Sequence, residues 1–172
     1  ATMFDAPPEA RFSPFYYWAY QGGELPDLPD PSYTLTANFG DTVRLLGYDL
    51  SPQPAHPGDT LSLSLHWRAI DPQRAPLHVF VHLVDPSSPD TAEGIKAQAD
   101  SVPQGGAYPF WVWAENEIVI DSIQISLPAD LTPGQYWLLL GIYDWSTGVR
   151  LPVQGGRDIG ANRLLLTVLN IE

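Results

Sequence analysis

Alternation of apolar and polar residues defines several strands along this chain. From Thr60 to Ala69 the apolar residues occupy the odd positions, with serine, histidine and arginine between them. The stretch from Leu77 to Val84 has the same period of two. This period, with a single apolar face, predicts half-buried antiparallel strands. Strands are predicted over residues 41–50, 60–69, 77–84, 97–100, 117–127, 135–144 and 163–171.

The predicted strand at 135–144 is the most apolar of the set. Its residues are apolar on both faces, which is typical of a central strand. After it, Asp144 to Gly148 predicts a type I turn closed by a left-handed glycine, with the Asp144 carboxylate accepting backbone N–H groups and a short strand following. With eight or nine strands at this spacing, we predict an all-β antiparallel sandwich of the immunoglobulin-like or jelly-roll type.

The apolar pattern of the 117–127 strand changes phase part-way along. Ile118 and Ile120 stand on even positions, whereas Ile123 and Ile125 stand on odd ones. A β-bulge adds one residue to a strand and reverses the alternation. We therefore expect a bulge near Asp121.

Composition divides the chain into an arm and a domain. The 18 Pro and 14 Gly favour short strands and turns, and residues 33–172 are predicted to form the sandwich. Residues 1–32 are rich in proline, which favours an extended arm. Its aromatic residues predict that the arm packs on the domain; the alternative is a platform for a sugar or a partner. They are Phe12, Phe15, Tyr16, Tyr17, Trp18 and Tyr20.

Charge and cysteine content narrow the classes of partner. The chain has 8 Lys and Arg against 20 Asp and Glu, a net charge of −12, which disfavours nucleic acid and anionic membranes. It has no cysteine, so disulfides and thiolate sites are excluded. No apolar run approaches the roughly 20 residues of a membrane span. Because the sequence begins at Ala1 rather than methionine, we expect a fragment of a longer polypeptide, with any membrane segment upstream.

Sequence motifs of catalytic and cofactor sites are absent. The nucleophile elbow, the H-E-x-x-H zinc motif and the glycine-rich phosphate loops do not occur. A hairpin of strands 60–69 and 77–84 would place His66 near His78, but a zinc site needs more ligands than these two, and outward-facing sheet residues are the better interpretation. We predict no catalytic residue, no metal and no cofactor.

The loop at 104–117 is the candidate binding site. It combines three aromatic residues with polar neighbours, and indole and phenol faces stack on the C–H faces of sugars. The alternative is that these aromatics fill the core. Glu115 and Glu117 also suggest the acid pair of a small glycan-active hydrolase. The proposed ligand-binding residues are Gln104, Tyr108, Trp111, Trp113 and Glu115.

Short motifs in a defined order resemble a known bacterial domain. They are NFGD at 38–41, RLLGY at 44–48, PGDTL at 57–61, Trp67, VFVHL at 79–83, GGAYP at 105–109, LPADL with PG at 127–134, and GIYD, TG and RLPV at 141–153. With these motifs in this order, the chain resembles the C-terminal β-sandwich domain of certain multi-spanning membrane proteins. Those proteins are similar to dolichyl-phosphate-mannose–protein mannosyltransferases.

The resemblance implies a β-sandwich appendage on the extracytoplasmic side of a bacterial membrane. It supplies no catalytic residues, since catalysis in such proteins belongs to the membrane-embedded part. We expect a non-catalytic module that binds carbohydrate or packs on an upstream membrane domain of the same polypeptide. The alternative is a purely structural domain without a ligand.

Overall fold

The computed structural model describes residues 28–72 and 74–172, which form two packed antiparallel β-sheets. The β-sandwich predicted from the sequence is confirmed. Most of the predicted arm, residues 1–27, lies outside the described residues, so its packing stays a prediction. The strands are β1 (Tyr33–Phe39), β2 (Val43–Ser51), β3 (Thr60–Ala69), β4 (Leu77–Val84), β5 (Ile95–Ser101), β6 (Ile118–Ser126), β7 (Gly134–Asp144), β8 (Val153–Gln154) and β9 (Leu164–Ile171).

The two sheets enclose one core between them. The first sheet has the order β6-β3-β2-β1-β8 and the second has the order β5-β4-β7-β9. Alternate residues of each strand face inward, and Trp67, Leu65, Val81 and Leu138 are completely buried there. The outward faces remain available for solvent or for loops that cover them.

Strand β7 has the central position that its apolar faces predicted. It pairs with β4 on one side and β9 on the other. Its inward residues join the main core, while Leu139 lies in a small second cluster on the outer face with Val84 and Leu165. The predicted turn after it is confirmed as well. Asp144 Oδ1 accepts the Ser146 N–H at 2.8 Å, and Gly148 has a φ of 72°.

The bulge expected near Asp121 is wrong. Strands β3 and β6 pair without a register shift from Thr60–Ser126 to Arg68–Ile118. The odd positions of β6 therefore face inward throughout, and Asp121 itself occupies one of them, fully buried. The apparent change of phase came from a polar residue inside the core and from Ile118 and Ile120 on the outer face.

The hairpin of 60–69 with 77–84 that would bring His66 near His78 does not form. Strand β3 belongs to the first sheet and β4 to the second, so His66 and His78 are on different sheets. His66 is buried and lies 2.7 Å from Asp49 Oδ2 through Nε2. It sits opposite Gly47, where Pro31 packs so closely that an added Cβ would meet its ring at 2.5 Å. The chain before β1 therefore covers part of this outer face.

Helical structure in the described residues is confined to short 3-10 segments between β5 and β6. They span Pro103–Gly106 and Phe110–Val112. No helix in residues 28–72 and 74–172 is long and apolar enough to cross a bilayer.

Candidate functional site

The aromatic residues of the 104–117 loop point mainly inward. Tyr108, Phe110 and Trp113, which we call the aromatic plug, are 3%, 0% and 4% exposed. Phe110 packs on Trp67 of β3 with 6.3 Å between ring centroids, and Tyr108 stacks on Trp113 at 6.3 Å. The structure thus places two of the five predicted ligand-binding residues in the core, where their ring faces are not available to a ligand.

Polar groups of the same loop are used to hold the plug. Glu117 is buried, and its two carboxylate oxygens accept the Tyr108 hydroxyl at 2.8 Å and the Ala114 N–H at 2.7 Å. The Trp113 indole N–H donates to the Tyr108 carbonyl at 2.9 Å. Glu117 therefore serves as an internal acceptor in a loop that needs hydrogen-bond partners for its irregular backbone.

Gln104 attaches the loop to the edge strand β6. Its N–H donates to Asp121 Oδ1 at 2.7 Å, and its side-chain amide donates to the Ile120 carbonyl at 3.2 Å. Burial raises the pKa of the Asp121 carboxyl, and the Gln104 N–H opposes that rise. Gln104, a predicted ligand-binding residue, is thus exposed but already engaged. Trp111, which is 42% exposed, and Glu115 are the other two predicted residues that lie at the surface.

A second set of aromatic side chains lies on the outer face of the β5-β4-β7-β9 sheet. Successive ring centroids are 6.3, 5.7, 6.1 and 4.9 Å apart, so the rings form a continuous line across two strands and the following turn. We call this line the aromatic row. In order, it comprises Trp145, His78, Tyr143, Phe80 and His82.

Trp145 gives the row its exposed end. The ring is 67% exposed and lies nearly parallel to His78, with an interplanar angle of 23°. Its backbone N–H donates to the Pro76 carbonyl at 3.0 Å, which ties the turn to the start of β4. The indole is therefore held beside the His78 ring, while most of its surface remains accessible.

Phe80 forms the buried middle of the row because β7 has a glycine beside it. Phe80 pairs with Gly141, and a Cβ there would lie 2.1 Å from the Phe80 ring. The ring is 2% exposed, and the Arg150 guanidinium lies 4.8 Å from its centroid. Arg150 reaches this position because it bridges to Tyr143 at the end of β7. The geometry is that of a cation–π contact.

The row ends at a cleft of about 440 Å³, which we call the His82 cleft. This volume is in the range of small-molecule sites. His82 comes from the sheet, and the remaining walls come from the loops at 85–94 and 150–163. The lining residues are His82, Pro89, Asp90, Thr91, Ala92, Ile95, Arg150, Ala161 and Arg163.

Electrostatics near the cleft keep His82 neutral and Tyr143 protonated. Burial is the main cause that lowers the pKa of His82, with Arg150 and Arg163 adding to it against the opposing effect of Asp100. Burial, followed by the Asp100 carboxylate, raises the pKa of the Tyr143 hydroxyl, which donates to Asp100 Oδ2 at 3.2 Å. The face therefore offers a neutral imidazole, a phenol and a guanidinium, which are hydrogen-bonding groups suited to hydroxyls and carboxylates.

A larger cleft of about 520 Å³ lies elsewhere, between the β4–β5 region and the turn before β7. Asp85, Asp130 and Lys96 line it with Tyr136, whose hydroxyl donates to the Thr132 carbonyl at 2.7 Å. Tyr136 is the one aromatic residue of the described chain that lines this cleft, and its hydroxyl is already hydrogen-bonded within the protein. In the described residues, no group of three or more His, Asp or Glu side chains could hold a metal ion.

Comparisons with known proteins identify no family for this chain. No protein-family model matches the chain. No curated protein matches its sequence significantly. The crystal structure of the C-terminal domain of wzt is similar, with a TM-score of 0.49 and 15% sequence identity over 87% of this chain and 89% of that chain. A likeness this distant assigns no ligand and no residue role to this chain. Nothing in these comparisons supports the mannosyltransferase association.

Sequence reasoning missed the aromatic row for a physical reason. In the sequence, Tyr143 is one of the apolar residues of a predicted central strand, and Trp145 lies inside the predicted turn at 144–148. The one available signal was an indole at the second position of a tight turn, where burial is rare and a large apolar ring is costly. The residues at 78, 80 and 82 showed a second face on β4, but only the sheet order puts that face beside Tyr143.

Proposed function

We propose that this chain is a non-catalytic carbohydrate-binding module whose ligand lies on the aromatic row. The observation that carries the proposal is Trp145, which is 67% exposed yet held parallel to His78. A ring supported on one face and open on the other is a stacking platform for the C–H face of a pyranose. It binds at low entropic cost because the ring is already positioned.

Polar groups beside the platform supply the orientation that stacking lacks. His82 and Tyr143 lie along the same row, and the His82 cleft opens at its far end. Apolar surface with a few placed polar groups is typical of small-molecule sites. A saccharide extending from Trp145 toward His82 would stack at one end and form hydrogen bonds at the other.

Titration of a panel of oligosaccharides by calorimetry tests this proposal, with Trp145→Ala and Trp111→Ala as a matched pair. Both side chains are exposed tryptophans, but they lie in different regions. We expect Trp145→Ala to weaken binding at least about tenfold, which corresponds to about 1.4 kcal/mol. Trp111→Ala should leave the affinity within about twofold, an effect smaller than 0.5 kcal/mol.

If Trp111→Ala weakens binding and Trp145→Ala does not, the ligand binds at the 104–117 loop instead. The predicted binding residues there are Trp111, Glu115 and Gln104. Absence of binding to every saccharide tested at millimolar concentration would contradict the function itself. Circular dichroism and thermal unfolding of both variants show whether a lost affinity reflects a lost fold.

The cellular setting is part of the same proposal. We place the module on the extracytoplasmic side, in a larger membrane-anchored protein, on the strength of the motif order from 38 to 153. The length of the natural polypeptide tests this directly. Apolar helices encoded upstream would support it, and an upstream region without them would contradict it.

A further inference from the structure

Arg150 has hydrogen-bonding capacity that the fold does not use. A guanidinium carries five N–H donors. In the described part of the chain, Arg150 donates from Nη1 to the Ala161 carbonyl at 3.1 Å and lies over Phe80, and it forms no ion pair within 4.0 Å. The side chain is only partly buried and lines the His82 cleft.

The other arginine of the cleft uses more of its donors within the fold. Arg163 is 7% exposed and donates to the Gly160 carbonyl at 3.4 Å and to the Pro89 carbonyl at 2.8 Å. It also forms an ion pair with Asp90. Arg163 therefore ties the 85–94 loop to the start of β9. The two arginines line one cleft but differ in their contacts: Arg163 makes three hydrogen bonds, one of them within an ion pair, whereas Arg150 makes one and has no ion pair among the described residues.

The nearby carboxylate is engaged elsewhere. Asp100 accepts the Tyr143 hydroxyl at 3.2 Å and lies 3.8 Å from His82 Nε2. Burial lowers the pKa of Arg150, Arg163 lowers it further and Asp100 raises it, but the group stays protonated at neutral pH. A protein of net charge −12 thus keeps a guanidinium at a cleft without a carboxylate partner among its described residues.

We propose that the saccharide is acidic and that Arg150 binds its carboxylate, as in a uronic acid residue. This inference rests on the proposed carbohydrate-binding function. A guanidinium fork and a carboxylate match in a bidentate, charge-assisted pair. The support of the guanidinium on Phe80 and on the Ala161 carbonyl keeps it in place before the ligand arrives, which reduces the entropic cost of binding.

Local charge favours a carboxylate over a phosphate monoester. One open guanidinium balances one negative charge, and His82 contributes none because its pKa is lowered by burial. Asp90 and Asp100 stand close to the cleft and would repel a dianion. A singly charged carboxylate is the anion that this set of groups accommodates.

Calorimetry of the intact chain with oligogalacturonate and oligomannuronate, each beside its methyl ester, tests the inference. At 0.15 M salt, where screening acts over about 8 Å, distant acidic residues contribute little. We expect an acid form to bind at least about tenfold more tightly than its ester. In Arg150→Gln the preference for the acid form should disappear, because the positive charge that distinguishes acid from ester is removed. Arg150→Lys should retain part of the preference, because the charge remains without the fork.

Arg68→Gln is the matched control. It removes the same charge from the exposed side of β3 in the other sheet and should leave the preference unchanged. Equal affinity for acid and ester, or a preference that survives in Arg150→Gln, would overturn the acidic ligand while leaving carbohydrate binding in place. Binding of neutral sugars without any binding of acidic ones would likewise overturn the acidic ligand and leave carbohydrate binding in place. If the wild-type protein binds no saccharide at all, both proposals are overturned.

Discussion

The aromatic plug and the aromatic row are two regions of this chain in which aromatic residues cluster, and the fold uses them in opposite ways. The plug turns Phe110 and Trp113 into the gap between the sheets, where they extend the core. The row spreads across the outside of a sheet and ends in the exposed Trp145. A cluster of aromatic residues in the sequence therefore does not by itself indicate a binding site. Rings that point into the core stabilise the fold, whereas rings on the outer face of a sheet are accessible to a ligand.

Hydrogen bonds differ between the two regions in the same way. In the plug, Tyr108, Trp113 and Glu117 satisfy one another inside the protein. At the end of the row, His82 and the neighbouring Arg150 face a cleft that a ligand could enter. A polar group that is already satisfied stabilises the fold, and one that is pre-positioned but open suits a ligand. Variants in the two regions should therefore separate stability from affinity.

The largest effect is expected from Trp113→Ala in the plug. Removing a buried indole leaves a cavity beside Phe110 and deletes the hydrogen bond to Tyr108. We expect a loss of about 3–5 kcal/mol in the free energy of unfolding, measured by urea denaturation. A loss below about 1 kcal/mol would show that the plug is not part of the core.

Gly141→Ala should have the next largest effect, because it tests the buried middle of the row. A methyl group at this position would collide with the Phe80 ring. Displacement of Phe80 should cost about 1–3 kcal/mol of stability. Because Arg150 rests on that ring, the preference for acidic saccharides should weaken as well. Unchanged stability together with unchanged preference would contradict the supporting role of Phe80.

Asp121→Asn should change the free energy of unfolding by a smaller amount and in the opposite direction. Burial raises the pKa of this carboxyl, so the folded protein binds the proton more tightly than the unfolded chain. The contribution of Asp121 to stability is then lost as pH rises from the unfolded value of about 3.9 through the folded pKa. At pH 7 the variant should be more stable, by on the order of 1 kcal/mol.

Chemical denaturation of wild type and Asp121→Asn across pH 3 to 8 checks this prediction. The difference between the two proteins should grow with pH and then level off. Oδ2 of Asp121 is buried without a hydrogen-bond partner among the described residues, so the charge has little compensation there. A variant that is less stable than wild type at every pH would show that the carboxylate is needed as an anion.

The smallest effect on stability is expected from Trp145→Ala. The ring is mostly exposed, and surface substitutions usually change stability by less than about 0.5 kcal/mol. Trp145→Ala should unfold at nearly the same temperature as the wild type, whereas Trp113→Ala should unfold at a much lower temperature. Comparable losses in the two variants would remove the distinction between plug and row.

Strand positions were readable from the chain where one face is apolar and the other polar. Strands β3 and β4 were predicted with their observed limits because their alternation is clean. Strand β1 was not predicted, since its exposed positions are mostly threonine and tyrosine and its inward residues are few. Strand β6 was predicted with a bulge because a buried carboxylate at Asp121 looks, in sequence, like a solvent-facing residue.

The candidate site was less readable, because it depends on which strands are neighbours. The sequence alone determined a β-sandwich, an acidic surface and the turn that holds Trp145, since these follow from alternation, composition and local turn chemistry. Only the tertiary structure decided that Tyr108 and Trp113 are buried, that β4 lies beside β7, and that Arg150 reaches Phe80. Contacts between residues about 70 positions apart depend on strand order, which local patterns do not encode.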